Sequence, residues 1–571
     1  MKIFSILLLV SQVAAIWPAP QSFSNGSSAI WLAEDFVLHK RTGIKETRST
    51  GFSSLEIVQA AVNRARKSIF TDSFVPWKFY PRNELKNFEP PANDQSKTYI
   101  RQLEITQTTP DHPSTFKPLA GQADETYNLT IGADGTATIA AVSYVGILHA
   151  LETFKQLFYL HSISSTAGVY CNIAPVHISD GPKFGHRGVN LDVSRNWFPK
   201  ETILQTIDAL SWNKFNRFHI HMTDAQSWPI DIPALPELSQ KGAYQTGLSY
   251  TPQDIEDIQV YGVYRGVEVI IEIDIPGHTT SIGFSHPELV TAFFAKPWHD
   301  YCGEPPCGQL KLNSTLVYDF IARLFNDLLP RVSPYSAYFH TGGDEIDVRD
   351  YVLDETIKSK DPAIVTPLLQ KFIDYSHDLV RKAGLVPIVW EEMLLDWNLK
   401  LGDDVVVQTW ISDSSLDKVT SRGHKALFGS SDFWYLACGH GQWYNYNNAD
   451  FQAHYPFNDW CSPLKNWRLM YSYDPTARLS AEQAALVLGG EVHLFTERSD
   501  PSNLNEIMWP RTSAAGEVMW SGRQDASGQN RSQIDAATRL SDMRERMVIR
   551  GIGCEPVQMA YCTQNSGDCT W

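Results

Sequence analysis

The run Tyr338–Asp347 reads YFHTGGDEID and sets two acids side by side, Asp344 and Glu345, behind a pair of glycines. Two carboxyl groups can divide a reaction when their surroundings push their pKa values apart, so that one stays ionised and the other holds a proton. Neighbouring residues of a regular strand face opposite sides. Both acids can therefore serve one site only if the strand has stopped before them; otherwise one of them is merely solvated.

Similar residues end other apolar runs. Arg187 and Asp192 bracket one, His219, His221 and Asp224 close a second, and Asp274 and His278 follow a third. Later runs end in Trp390 with Glu391 and Glu392, in Trp410, in Trp434 and Tyr435, and in Glu491, Phe495 and Glu497. Acids mixed with aromatics suit a sugar, because aromatic faces pack on a pyranose while acids and an arginine take its hydroxyls. Glycoside hydrolysis usually places two carboxyl groups about 5 to 5.5 Å or about 6.5 to 9.5 Å apart, across the scissile bond. Adjacent residues leaving a strand are badly placed for that, so Asp344 and Glu345 must share the work differently. A metal reading stays open here: His219-x-His221 with His278 and Asp344 suits an amidohydrolase-like barrel, although no bridging lysine accompanies them and the aromatics go unexplained.

The elements that must carry these residues alternate between strand and helix after Asp180. Strands are predicted at 188–191, 217–222, 267–273, 337–340, 386–390, 405–410, 426–429 and 487–494, with amphipathic helices at 314–329, 362–382 and 532–550. Eight strands with helices between them predict a (β/α)8 TIM barrel over 179–571, with chemistry at the carboxyl ends of the strands; a doubly wound sheet would show the same alternation. Residues 16–178 read as a smaller α+β domain, with a strand at 102–106, a hairpin around Asp134-Gly135 and a helix at 143–159. The polar stretch 64–97, which opens Arg64-Ala-Arg66-Lys67, reads as a processed or flexible segment.

Composition sets the outer limits. The chain has 571 residues, 43% hydrophobic and 20% charged, with a formal charge of −16, which argues against a phosphate backbone as partner. MKIFSILLLVSQVAA has the three parts of a secretory signal, with cleavage expected after Ala15, and no other stretch approaches membrane-spanning length. A secreted protein, neither membrane-bound nor nucleic-acid-binding, is expected. Its eight cysteines suit disulfides, with local staples at Cys302–Cys307 and Cys562–Cys569 and further pairings open for Cys438 with Cys461 and Cys171 with Cys554. Glycosylation sequons stand at Asn25, Asn128, Asn313 and Asn530.

The ordered set His186-Arg187-Gly188 with Leu191-Asp192-Val193-Ser194-Arg195, His219-x-His221-x-x-Asp224-x-Gln226-Ser227, Glu272-x-Asp274-x-Pro276-Gly277-His278, His340-x-Gly342-Gly343-Asp344-Glu345 and Gly489-Gly490-Glu491 resembles the family 20 glycoside hydrolases. These are the β-N-acetylhexosaminidases, and the likeness is greatest to the secreted fungal ones. The resemblance implies that the substrate's own 2-acetamido oxygen attacks the anomeric carbon to give an oxazolinium ion, an exception to the two-carboxylate rule. It makes Asp344 the acid that holds the acetamido N–H and Glu345 the general acid and later base. It makes Arg187 and Glu497 ligands of sugar hydroxyls, Asp224 a support, and His278 with Asp274 the groups that orient the catalytic acid. Trp390 and Trp410 become walls of the acetamido pocket, and Tyr435 a donor to the attacking oxygen. No cofactor or metal is implied, and a homodimer is left open.

Two positions depart from the family pattern: Ala437 follows Trp434-Tyr435-Leu436 where an acid is usual, and Phe495 stands where a tryptophan is usual. A lost charge-assisted hydrogen bond weakens binding by about 1.5 to 3 kcal/mol, so altered discrimination at carbons four and six is expected. A glycan-binding protein without hydrolytic activity is the other reading these two changes leave.

Overall fold

The computed structural model describes residues 15–39, 44–163 and 167–571; the expected signal segment lies outside the described residues apart from Ala15. The first unit is a six-stranded sheet of β1 (Ser22–His39), β2 (Tyr99–Gln107), β3 (Tyr127–Ile131), β4 (Ala137–Ala141), β5 (Tyr159–Leu160) and β6 (Val169–Asp180), in the order β1-β2-β4-β3-β6-β5. Two helices, α1 (Ser54–Thr71) and α2 (Tyr144–Gln156), bury their apolar stripes in the core of this sheet. Each starts at a serine, Ser53 or Ser143, whose side chain accepts from a backbone N–H three residues on and so satisfies a donor the helix itself leaves free.

The stretch 64–97 needs correction. Its first eight residues belong to α1, held by Ile57, Val58, Ala61 and Ala65 on the buried face, because Ala61, Val62 and Ala65 continue the helical stripe through the charged run. The basic residues occupy the other side of a helix.

The second unit is a closed barrel of eight parallel strands: β7 (His186–Asp192), β8 (Arg217–His221), β9 (Glu268–Glu272), β10 (Tyr338–His340), β11 (Val386–Trp390), β12 (Val406–Gln408), β13 (Lys425–Phe428) and β14 (Val487–Leu494), with β14 pairing back to β7. All eight predicted strands are present, and closure decides against the open sheet. Strand β8 shows the logic of the barrel. Phe218 and Ile220 point out to the helices and join their core, while His219 and His221 point into the lumen. Helices α3 (Lys200–Trp212), α4 (Thr315–Val332), α5 (Pro362–Lys382) and α6 (Gln533–Ile549) cover the outside.

Disulfides join Cys302 to Cys307, Cys438 to Cys461 and Cys562 to Cys569. Cys171 and Cys554 do not pair, because they are buried in different cores, one under the N-terminal sheet and one around the barrel. All four sequon asparagines are exposed.

Candidate active site

The turn after β10 settles how both acids reach one place. The strand ends at His340, and Gly342, Gly343 and Glu345 have φ of +67°, +104° and +51°. A Cβ on Gly342 would lie 1.8 Å from Asp274 Oδ1, and one on Gly343 would lie 2.9 Å from Met393, so only glycine fits this bend. The left-handed backbone turns Asp344 and Glu345 toward the same cavity. Gly343 N–H donates to Asp274 Oδ1 at 2.9 Å, which ties the turn to the end of β9.

Below the turn a chain of carboxylates and imidazoles crosses the barrel lumen. Glu491 lies 2.7 Å from His186 and 2.9 Å from His219 Nδ1. Glu272 lies 2.9 Å from His219 Nε2 and 2.6 Å from His221 Nδ1, and His221 Nε2 meets Asp224 at 2.8 Å. Asp224 then meets His278 Nδ1 at 3.0 Å, and His278 Nε2 stands 3.4 Å from Glu345. Gly188 makes room for Glu491, since a Cβ there would lie 2.7 Å from Glu491 Cγ. Both nitrogens of His219 and of His221 face carboxylates, so each ring is held in place from two sides.

Burial disfavours charge on His219, but Glu491 and Glu272 outweigh it and raise its pKa to about 9 from an ordinary 6.5. A folded-state pKa above the unfolded one adds stability that is complete below pH 6.5 and is lost as pH rises through 9, about 3 kcal/mol in all. Thermal unfolding measured from pH 6 to 9.5 should therefore show Tm falling across that window. Glu491→Gln, which removes the carboxylate that raises His219 most, should flatten the decline; an equally steep decline in the variant would exclude His219 as its source.

Proton placement differs from the expectation that Glu345 holds the proton. Burial and the neighbouring Asp344 push Asp274 well above the carboxylate range. Asp344 is also raised by burial, but His278 and a hydrogen bond from Asp274 oppose the shift, so of the two Asp274 is displaced further. Burial opposes charge on Glu345, yet the His278 imidazolium, itself stabilised against burial by Asp224 and Asp344, holds Glu345 below its usual value.

Asp344, Glu345, His278, Trp410, Tyr435, Phe495, Glu497 and Ala437 line one cavity of about 140 Å³ above the strand ends. Trp410 and Tyr435 stack with centroids 6.1 Å apart, and Trp410 Nε1 donates to Glu392 at 3.0 Å. Arg187 and Trp390 do not stand at the cavity wall where they were expected. Arg187 lies at the opposite end of β7, buried and ion-paired with Glu125, with Nε donating to Lys214 O; the amino end of a barrel strand points away from the rim. Asp224 is 0% exposed and holds Arg195 and His278, which is the supporting place expected of it. Trp390 lies beneath Phe495, its Nε1 donating to Glu272 at 2.8 Å, and forms a floor support rather than a wall.

The arginine at the cavity is Arg195, three residues beyond the end of β7, paired with Asp224 at 2.8 Å and with Glu304. The rule that chemistry sits past the carboxyl ends favours Arg195 over Arg187 from the sequence alone. Glu304 and Trp460 had no such signal. Glu304 comes from the loop closed by Cys302–Cys307, and Trp460 from the Cys438–Cys461 loop, where it meets Trp410 edge-on at 5.7 Å. Burial and Glu304 together raise Glu497 to about 8, which makes it a neutral donor as readily as an acceptor.

Residues 184–523 match the profile of the glycosyl hydrolase family 20 catalytic domain, and residues 16–157 match that of a beta-acetyl hexosaminidase-like domain. The chain is 38% identical to a beta-hexosaminidase of Arthroderma benhamiae, over 99% of this chain and 98% of that protein. It is 31% identical to the mouse beta-hexosaminidase subunit beta, over 96% and 93% of the two chains. Its fold is shared with an exo beta-N-acetylglucosaminidase from Vibrio harveyi solved in complex with N-acetylglucosamine, with a TM-score of 0.70 and 21% identity, over 96% of this chain and 79% of that one.

Proposed function

Because the chain belongs to glycosyl hydrolase family 20, we propose that it is a secreted, exo-acting β-N-acetylhexosaminidase that removes terminal N-acetylhexosamine with retention, through neighbouring-group attack by the substrate's acetamide. The observation that carries this reading is the turn that delivers Asp344 and Glu345 to one cavity from adjacent positions. Acids so placed serve two atoms on the same side of a sugar ring better than the two faces of its anomeric carbon.

In this reading the acetamido carbonyl oxygen forms a bond to the anomeric carbon as the glycosidic C–O bond breaks, and Glu345 gives the leaving oxygen its proton. Asp344 holds the acetamido N–H and offsets the positive charge of the cyclic oxazolinium ion. Tyr435, kept as a neutral phenol by burial and by the charge of Asp344, donates to the attacking oxygen. A sugar in the cavity excludes water from Glu345 and favours its protonated form, with the His278 imidazolium in reach as the proton source. Water then attacks the anomeric carbon as its bond to the acetamido oxygen breaks, Glu345 takes the water's proton, and two displacements restore the configuration. Arg195, Glu304 and Glu497 line the cavity beside Glu345 and can take the hydroxyls of a terminal sugar.

Aryl 2-acetamido-β-glycosides should exceed the 2-hydroxy analogues in kcat/KM by about 10³-fold or more, because the nucleophile is built into the substrate. A thiazoline mimic of the cyclic ion should inhibit competitively. Equal turnover of both substrates, or a covalent glycosyl ester on the polypeptide, would end this reading. Ala437 lies at the cavity beside the outer hydroxyls' expected position, and Ala437→Asp should raise the kcat/KM preference for the GlcNAc over the GalNAc glycoside by about tenfold, the worth of one charge-assisted hydrogen bond. An unchanged ratio would remove Ala437 as a determinant. Secretion is tested by N-terminal sequencing of protein from the medium, with Ile16 expected first.

A further inference from the structure

A second cavity, of about 200 Å³, lies between the N-terminal domain and the outside of the barrel. Its space holds roughly six waters. Helices α1 and α2 form one wall; α3, the turn at Arg265 and the end of α6 form the other. Five cations face it, Arg64, Lys67, Lys155, Arg265 and Arg550, against three carboxylates, Asp72, Glu152 and Asp208. This leaves a surplus of two positive charges in a chain whose net charge is −16.

The pairing shows where the surplus sits. Arg550 pairs with Asp72 at 2.6 Å, Lys155 with Glu152 at 2.6 Å and Arg265 with Asp208 at 2.5 Å. His149, also on the wall, is taken by Glu125 at 2.8 Å. Arg64 donates to the carbonyl of Tyr264 at 2.7 Å and feels Glu152 and Asp208 from farther off, and among the described residues neither Arg64 nor Lys67 has a carboxylate within ion-pair distance. Burial and the facing Arg265 push the Arg64 pKa down, and burial together with Arg550 brings Lys155 to about 8. Asp72, Glu152 and Asp208 offset three of the five cations, and the remaining surplus of two positive charges across the domain boundary costs free energy unless a further anion joins them.

We infer that this cleft binds a small, multiply charged oxyanion, a phosphate ester or a polycarboxylate, which bridges Arg64 and Lys67 of the N-terminal domain to Arg265 and Arg550 of the barrel. Guanidinium groups on two sides supply the fork-shaped donors that phosphate and carboxylate oxygens accept. The Arg64-Ala-Arg66-Lys67 run acquires a role here: Arg64 and Lys67, three apart on α1, reach the cleft together. Bound anion would fasten the two domains and stabilise the folded chain by mass action.

The test is calorimetric titration of the intact protein with citrate and, separately, with inorganic phosphate at low ionic strength, beside thermal unfolding in the same anions and in chloride at matched ionic strength. Saturable binding at one site per chain is expected for at least one probe, weakening as chloride rises, with Tm raised by that probe above its value in chloride. Lys67→Gln and Arg64→Gln should each weaken binding about tenfold, the worth of one charge-assisted contact, and leave hydrolysis of an aryl glycoside unchanged. Lys67 is exposed, so its variant keeps the test valid if Arg64→Gln folds poorly; Lys360→Gln, on a distant surface, should bind as the parent does. No saturable binding of either probe, or equal affinity in the Lys67 and Lys360 variants, would overturn the assignment.

Discussion

Glu345→Gln is expected to lose kcat in proportion to the basicity of the leaving group. Glutamine keeps the shape and one acceptor but has no proton to give. An alkyl or sugar leaving group, which departs only as it is protonated, should lose about 10³- to 10⁴-fold, the usual contribution of a positioned general acid. A dinitrophenyl group leaves without help, so for that substrate the loss should appear mainly in the second step, where Glu345 acts as base. The variant should keep its affinity for a thiazoline inhibitor within a few fold, because Asp344, Tyr435 and the cavity wall remain. A loss that is the same for both leaving groups in the first step would mean that Glu345 supports structure rather than transferring a proton. The 3.4 Å contact from His278 gives a second readout. Removing the carboxylate takes away the group that must be protonated and frees the imidazolium from one anionic neighbour, so the basic limb of the pH–rate profile should shift or disappear.

Asp344→Asn is expected to cost about 10³-fold in kcat on an acetamido substrate, the scale of losing one preorganised electrostatic contact to a transition state. The neutral amide can still accept from the acetamido N–H, so KM should change little, and kcat should carry the loss. Selectivity is the sharper measure. The advantage of the 2-acetamido over the 2-hydroxy substrate should collapse in Asp344→Asn and persist in Glu345→Gln, since only Asp344 acts on the neighbouring group. Its partner supplies a control. Asp274→Asn still offers an N–H to Asp344 and should be mild, whereas Asp274→Leu leaves Asp344 without its donor and should resemble Asp344→Asn. Unimpaired turnover in Asp344→Asn would refute the division of labour between the two acids.

Much of this architecture could be read directly along the chain. Each barrel strand is a short apolar run with a helix after it, and that local pattern needs no knowledge of what packs where. The two glycines before Asp344 were equally visible, and their meaning is local too: backbone conformations with positive φ admit glycine readily and other residues seldom. Local patterns failed where meaning depends on direction or distance. Arg187 and Arg195 are eight positions apart on one motif, yet one faces the base of the barrel and the other the rim. The charged run at 64–67 read as the start of a processed or flexible segment because its apolar partners lie on the hidden face of a helix that packing against the sheet secures.

The turn that carries Asp344 and Glu345, the eightfold alternation and the kinds of residue at the rim were legible along the chain, because they follow from neighbouring residues. The fold was needed to bring Glu304 and Trp460 to the cavity from disulfide-closed loops, to keep Cys171 and Cys554 apart, and to push Asp274 above the carboxylate range beside Asp344. Proton position and pocket membership depend on charges and surfaces brought together from distant parts of the chain, and closing the barrel is what brings them within a few ångströms of one another.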